Sequence, residues 1–157
     1  EYLDLSGVKS GNIQESNIYT WSKAPSRAKR ILRTGDTIIG IVRPGNKSYC
    51  MIQKEGFTGS TGFATLRPKN QINAPLVYLV STSQENIERL SHLADGAAYP
   101  AVKPEVIIET SVILPTNSIQ KIFGTLISPI FCKISEKFQQ NFGRPKFFVE
   151  LQNCPIF

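Results

Sequence analysis

The residues best suited to bind a charged partner are basic, and they are concentrated in one early part of the chain. Seven lysines and arginines lie between positions 23 and 47, against a single acid, Asp36. The resulting charge of +6 equals the formal net charge of all 157 residues, so the other residues sum to zero. A local basic cluster of this kind is typical of a site for a polyanion. The seven are Lys23, Arg27, Lys29, Arg30, Arg33, Arg43 and Lys47.

The chemistry of this segment favours a nucleic acid. The planar fork of arginine fits phosphate oxygens and also the O6/N7 edge of guanine in the major groove. Ser26 and Asn46 can hydrogen-bond phosphates or base edges, and nearby glycine turns let the backbone approach a partner. The alternative is that these charges are simply solvated. We interpret residues 23–33 and 43–48 as loops that contact double-stranded DNA.

A glycine-rich stretch at residues 56–62, GFTGSTG, offers a second way to bind phosphate. It lacks the Gly-Lys-[Ser/Thr] ending of a P-loop and the G-x-G-x-x-G spacing of a dinucleotide site. The plainer interpretation is a flexible turn before a strand. Two functional alternatives stay open. The hydroxyls of Ser60 and Thr61 contact DNA phosphates, or the stretch is the anion site of a small enzyme or binding protein for a phosphorylated ligand.

Catalytic and metal chemistry have few residues to draw on. The chain has one histidine, His92, and three cysteines whose spacing matches no metal-binding pattern. The acids are scattered and form no recognisable catalytic motif. A catalytic triad or a histidine-rich metal site is therefore not expected. With no apolar run long enough to span a membrane and no disulfide pattern, we expect a cytoplasmic protein with no membrane partner.

The elements that position these residues change in type along the chain, which predicts an α+β fold. Strands are predicted first, most clearly at residues 37–42, 49–53 and 63–66. Tyr19 and Trp21, in a short strand-like run, are expected to belong to the core or its cover.

Helical signals come later in the chain. Residues 84–94 have apolar positions on one face, with Thr82 and Glu85 as a capping box and Gly96 as a stop. Residues 75–80 are apolar, and their period does not separate helix from strand. Residues 112–114 are predicted to form one more strand.

A last helix is predicted over residues 116–142, because its apolar residues recur at steps of three and four. Pro129 should kink it. Residues 1–115 would then form one domain, and residues 143–157 an irregular tail. A purely helical assembly module is a further alternative, since this face suits an interface. Its residues are Ile119, Ile122, Phe123, Leu126, Ile130, Phe131, Ile134 and Phe138.

Six short motifs occur in order along the chain and are more specific together than singly. They are APSRA at 24–28, GDTI at 35–38, VRP at 42–44, STGF at 60–63, GAAYP at 96–100 and ILP at 113–115. Over about residues 2–140 this set resembles the target recognition domain of a DNA specificity subunit from a type I restriction–modification system.

The resemblance implies a fold and a set of partners. The fold is a β-rich recognition domain, with a twisted mixed sheet and short helices, followed by a C-terminal spacer helix. Such a subunit is not an enzyme and has no cofactor of its own. It reads double-stranded DNA and directs methyltransferase (M) subunits and a restriction (R) subunit. S-adenosylmethionine, ATP and Mg²⁺ are expected only on those partner subunits. Tyr99, in the motif at 96–100, joins the candidate DNA contacts, and a homodimer through the last helix is possible.

Overall fold

The computed structural model describes residues 1–110 and 115–127, in which short strands come first and short helices follow. The predicted α+β class is confirmed. The strands are β1 (Tyr2–Leu3), β2 (Val8–Lys9), β3 (Asn12–Ile13), β4 (Ala28–Ile31), β5 (Thr37–Gly40), β6 (Tyr49–Met51), β7 (Thr58–Ser60) and β8 (Phe63–Leu66). The helices are α1 (Ala74–Ser81), α2 (Gln84–His92), α3 (Pro104–Ile108) and α4 (residues 117–127).

The centre of the fold is an antiparallel sheet in the order β6-β5-β8. All four residues of β5 are buried, as expected for a β-branched run covered on both faces. A side chain at Gly40 would lie about 3.1 Å from the Ser48 Cβ, so glycine permits this close approach. The strands predicted at residues 37–42 and 49–53 are confirmed with shorter bounds, and the strand predicted at residues 63–66 is confirmed over the same residues.

A second sheet has the order β1-β7-β4, with β1 parallel and β4 antiparallel to β7. Its middle strand lies in the glycine-rich stretch, so the prediction of a flexible turn is wrong for residues 58–60. The reason is packing: a Cβ on Gly59 would sit about 3.2 Å from Leu32, which is fully buried. The absence of a side chain lets the strand lie close to the core.

The basic stretch is also partly a strand, since β4 replaces part of the loop predicted for residues 23–33. Its partner supplies the reason: Ala28 lies opposite Ser60 and Ile31 opposite Thr58, with one register irregularity between them. Exposure alternates along the strand, with Lys29 outward. The cations of this strand therefore stand on a hydrogen-bonded scaffold.

The helices follow the strands in the chain, and α1 and α3 contact β5 and β8 of the central sheet, respectively. Residues 75–80, which the sequence left undecided, are helical in α1, and the helix predicted from residue 84 is α2. The predicted capping box names the wrong N-cap residue, Thr82. Ser83 caps α2 by accepting a hydrogen bond from Asn86 N, while Thr82 donates its hydroxyl to the Tyr78 carbonyl.

Helix α4 begins close to the predicted position and is fixed at its start by polar contacts. Gln120 is buried; it hydrogen-bonds Asn73 and donates to the Pro115 carbonyl at 2.7 Å. Phe123 is half-buried and Ile127 packs against the core. Three residues of the predicted face are more than half exposed: Ile119, Ile122 and Leu126. The predicted strand at 112–114 and the rest of that face lie outside the described residues, namely Ile130, Phe131, Ile134 and Phe138.

One apolar core joins the two three-stranded sheets, the antiparallel pair β2–β3 and the helices. Cys50, on β6, is fully buried in it, and burial raises the pKa of its thiol. In the residues that the structure describes, no helix combines the length and apolar character needed to cross a bilayer.

Candidate nucleic-acid interface

The first group of basic residues runs from a short 3₁₀ turn, Trp21–Lys23, into β4 and beyond it. Lys23, Ser26, Lys29 and Arg33 are exposed, and Arg30 is half-buried. The main chain of β4 is held by β7, so Lys29 and Arg30 project from a fixed backbone, while the other three residues lie before or after the strand. The strand gives this part of the cluster the rigid support that a recognition surface needs.

Within residues 1–110 and 115–127, Arg27 is the only one of the seven cations that forms an ion pair. Its partner is Asp4, at 3.0 Å, and both side chains are in contact with water. An exposed pair of this kind contributes about 0–1 kcal/mol, so a phosphate can compete for the guanidinium. The positive charge of the cluster is therefore largely uncompensated inside this part of the chain.

Asp36, the single acid of the segment, has a structural task. Its carboxylate is 1% exposed and accepts two hydrogen bonds from Arg67, at 2.8 and 2.6 Å. It also accepts the backbone N–H of Arg33. The hydrogen bond from Arg67 to this carboxylate raises the pKa of the arginine. Since Arg67 neutralises Asp36, the acid does not offset the charge of the cluster.

The second group lies on a 3₁₀ turn, Pro44–Asn46, and is used partly by the fold itself. Arg43 donates to the Ala98 carbonyl at 2.7 Å, and its guanidinium lies 5.1 Å from the centre of the Tyr99 ring. Lys47 donates to Gln84 on α2 at 2.7 Å. Arg43, Asn46 and Tyr99 remain exposed. This group holds the loop at residues 97–100 and still has open faces.

The turn after β7 connects the two basic groups. Thr61 N donates to the Arg27 carbonyl at 2.9 Å, and the Gly62 carbonyl accepts the N–H of Ile41 at 2.9 Å. Ile41 lies two residues before Arg43. The groups at 23–33 and 43–47 therefore flank one turn. Thr61 is half-buried there.

Ser60 departs from the predicted contact set. Its side chain is fully buried, and its hydroxyl accepts a hydrogen bond from Gly62 N. A buried hydroxyl that hydrogen-bonds within the turn is not accessible to a ligand. We therefore assign Ser60 a structural role, and Thr61 is the remaining candidate DNA contact in this turn.

One of two aromatic residues does not lie where the sequence predicts it. Trp21 is 95% exposed, so the expectation that it belongs to the core or its cover is wrong, whereas Tyr19, at 45% exposure, covers the buried Tyr2. Tyr19 packs edge-on against Tyr2, with the ring centres 6.1 Å apart. The strand-like run around these residues forms a turn with only local bonds, which leaves the indole of Trp21 in solvent.

The geometry does not favour a small-phosphate site at residues 56–62. Such a site needs free backbone N–H groups converging on one point, whereas residues 58–60 pair with two neighbouring strands. Among the described residues, no group of three or more histidine, cysteine or acidic side chains is placed to hold a metal.

Comparison with known proteins identifies the class. Residues 7–140 match the family described as the type I restriction modification DNA specificity domain. Because the match covers most of the chain, this protein belongs to that family. It is a specificity-subunit domain of a type I restriction–modification system, and the alternatives of a phosphorylated-ligand protein and a pure assembly module are not supported.

Individual relatives agree with this assignment. The HindI specificity subunit of the type I restriction enzyme from Haemophilus influenzae is 23% identical over 145 residues, covering 89% of this chain and 32% of its own length. A solved chain from work on complex assembly and conformational transition of the type I R-M system is 25% identical, with a TM-score of 0.69. The HsdS subunit from Thermoanaerobacter tengcongensis shares the fold at 24% identity and a TM-score of 0.66.

The chain is shorter than these relatives. Both solved structures are matched over 88% of this chain and 37% of their own length. The chain thus spans about a third of the length of each relative.

The position of Arg43 leads to a first prediction. Arg43→Ala should lower the free energy of unfolding by about 1–2 kcal/mol, because it removes a charged hydrogen bond and a cation–π contact that hold residues 97–100. Tyr99→Phe keeps the ring and should change stability by less than about 0.5 kcal/mol. Urea titrations of both variants measure this. Equal stability of Arg43→Ala and the unmodified chain would show that this loop is held by other contacts.

Proposed function

We propose that this domain recognises a specific sequence in double-stranded DNA, as the specificity component of a type I restriction–modification system. The observation that carries the proposal is the uncompensated basic cluster around β4 and residues 43–47. Lys29 and Arg30 project from β4, whose backbone is hydrogen-bonded to β7, and the acid within the segment is neutralised by Arg67. A fixed array of cations suits the regularly spaced phosphates of a duplex.

Within this proposal, phosphate contacts and base contacts have different sources. The exposed cations would position the duplex, which makes binding steeply dependent on salt. Sequence would be read by segments between the shared motifs, such as residues 8–23 and 45–58. Arg43 and Tyr99 contact each other and also face solvent, so both are open to the duplex. Arg27 is the arginine best placed to exchange an internal partner for DNA.

The domain would have no catalytic step of its own. Methyltransferase and restriction subunits would bind it and bring S-adenosylmethionine, ATP and Mg²⁺, and the system would act in the cytoplasm. We propose residues 1–115 as the recognition domain, residues 116–142 as the spacer and residues 143–157 as an irregular tail. The spacer would dock the methyltransferase and could join two copies of the chain.

Selection from a random library tests the proposed function. The 157-residue chain is mixed with duplexes containing a randomised central region, bound duplexes are recovered, and the cycle is repeated. We expect enrichment of one motif of a few base pairs, because each correct base pair contributes about 1–3 kcal/mol of discrimination. Binding without any enriched motif would leave only non-specific electrostatic attraction and would overturn the proposal.

The exposed face of α4 gives a second prediction. If two copies associate through Ile119, Ile122 and Leu126, replacing all three with glutamate should convert a dimer to a monomer, because buried carboxylates repel and lose hydration. Sedimentation at several concentrations measures this. The triple replacement Glu105→Gln, Glu109→Gln and Lys121→Gln, at exposed positions, is the control and should leave the dimer intact. A monomer in the unmodified chain at high concentration would contradict the homodimer.

A further inference from the structure

The most exposed large apolar side chain in the described part of the molecule belongs to Trp21, at 95%. It is the only tryptophan in the chain. Ile18, three positions earlier in the chain, is 83% exposed. Aromatic side chains of this size normally bury 150–250 Å² in folded proteins, so an indole left in water is available for burial against a partner.

The indole stands beside the basic strand. Trp21 lines a cavity of about 130 Å³ together with Tyr2, Ala24, Ala28 and Thr58, among others. Ala28 is the first residue of β4, and Thr58 lies on the neighbouring strand β7. Lys23 belongs to the same turn as Trp21. The exposed indole is therefore next to the start of the basic strand and to one of the clustered cations, Lys23.

The exposed indole of Trp21 contributes little to the stability of the fold. The turn is closed by local backbone bonds, Lys23 N to the Thr20 carbonyl and Ala24 N to the Trp21 carbonyl. None of these bonds uses the indole, whose exposure leaves it few packing contacts. Removing the side chain should therefore change stability little, and the indole is open to contact with a partner.

Charge decides what kind of partner covers it. Residues 16–35 contain no aspartate or glutamate, and they include five of the seven clustered cations. A polyanion with flat apolar surfaces complements an indole surrounded by positive charge. Double-stranded DNA has both features, since its phosphates flank the stacked faces and edges of the bases.

We propose that Trp21 is a wedge that packs its indole against a base step of the bound duplex. This inference rests on the proposed DNA recognition and adds a residue to it. The cations contact phosphates, while Trp21 contacts bases and partly opens the stack at one step. Steps that unstack easily are favoured, so Trp21 contributes to specificity at a position where hydrogen bonds are not needed.

Tryptophan fluorescence tests this directly, because all of the signal comes from this residue. The 157-residue chain is titrated with the duplex enriched from the random library and, separately, with heparin, a polyanion without bases. We expect quenching of the emission with the duplex, because an indole stacked on a base is quenched, and little change with heparin at equal occupancy. Equal quenching by both would show an electrostatic effect and overturn the inference.

Variants separate the wedge from the cations. Trp21→Ala should weaken binding of the enriched duplex roughly 5- to 100-fold, the range for losing one aromatic stacking contact, with an unchanged melting temperature and heparin affinity. Trp21→Phe should recover part of the loss. Ile108→Ala, a half-exposed apolar residue on α3, is the matched control and should bind like the unmodified chain.

The outcomes distinguish this inference from the function on which it rests. If the chain selects a DNA motif but Trp21→Ala binds it unchanged, the wedge is wrong and DNA recognition stands. If DNA binding is unchanged and association with the methyltransferase subunit falls instead, the indole belongs to a protein interface and the wedge is likewise wrong. If no duplex is bound or selected, both proposals fail.

Discussion

Replacing Lys23, Lys29 and Arg33 together with alanine is expected to weaken binding of duplex DNA by roughly 10²- to 10³-fold at 0.1 M salt. These side chains are exposed, and none forms an ion pair within the part of the chain that the structure describes. Each is free to neutralise one phosphate and release a bound counterion. We expect the loss to be similar for specific and unrelated duplexes, because phosphate contacts carry no sequence information.

The salt dependence gives the same prediction a second measurement. In a plot of log affinity against log salt, each lost phosphate contact should reduce the slope by about 0.9, so the triple variant should be flatter by about 2.7. Fluorescence anisotropy with a labelled duplex at several salt concentrations provides both numbers. The folded structure should be unaffected, since exposed side chains without partners contribute little to stability.

A matched control removes the same amount of charge elsewhere. Lys69, Lys103 and Lys121 are also exposed, and they lie outside the basic cluster. Their triple replacement with alanine should change DNA affinity by less than about threefold, because distant surface charges are screened beyond roughly 10 Å at 0.1 M salt. Equal losses for the two triple variants would show that net charge, and not the surface around β4, attracts the DNA.

Arg67→Ala is expected to lower the free energy of unfolding by about 3 kcal/mol. The guanidinium makes two hydrogen bonds to the Asp36 carboxylate and one, at 3.1 Å, to the Ile31 carbonyl. Asp36 is 1% exposed, so removing its partner leaves a buried negative charge held only by the Arg33 N–H. Urea unfolding followed by circular dichroism measures the loss.

Arg27→Ala is the control for this prediction, because Arg27 also pairs with an aspartate. In its pair with Asp4 the arginine is 62% exposed and the aspartate 28%, so its loss should cost less than about 1 kcal/mol. The larger effect of Arg67→Ala should therefore be on stability, and the larger effect of Arg27→Ala on DNA affinity. Equal stability losses would show that burial of Asp36 does not control the strength of its ion pair.

The Asp36–Arg67 pair also links stability to binding. Arg67 contacts the last residue of β4, and Asp36 holds the backbone just after it. We therefore expect Arg67→Ala to weaken DNA binding moderately, although Arg67 is not among the predicted DNA contacts. A residue that fixes the end of the basic strand limits the positions that its cations can take.

The sequence was most informative where local pattern and burial agree. The β-branched run of β5 predicts a buried strand, and its neighbours β6 and β8 follow from their apolar residues. Helix α2 was predicted from one apolar face, although its cap was assigned one residue too early. These elements depend on side chains that are close in sequence, so a local sequence pattern is enough to predict them.

The elements that support the candidate site depend on distant contacts and were missed. The β4 sequence, Ala-Lys-Arg-Ile, has no strong strand signal and becomes a strand because β7 pairs with it. Asp36 meets Arg67 across 31 positions, so no local motif could show that this turn residue is buried and paired. Trp21 has an apolar type that predicts burial, whereas its turn leaves it in solvent.

Charge predicted the site better than the predicted secondary structure did. The concentration of cations between residues 23 and 47 is a property of composition, so it is the same whether the segment forms a loop or a strand. Hydroxyl residues were less predictable, because a serine at a turn can close it from inside, as Ser60 does.

The ratio of two dissociation constants tests the central claim most directly. The 157-residue chain is titrated, at one fixed salt concentration near 0.15 M, with the duplex enriched from the random library and with a scrambled duplex of the same composition. Sequence recognition by this domain predicts a ratio of roughly 10³ or more in favour of the enriched duplex. A ratio near one would show attraction to phosphates alone and would contradict the account.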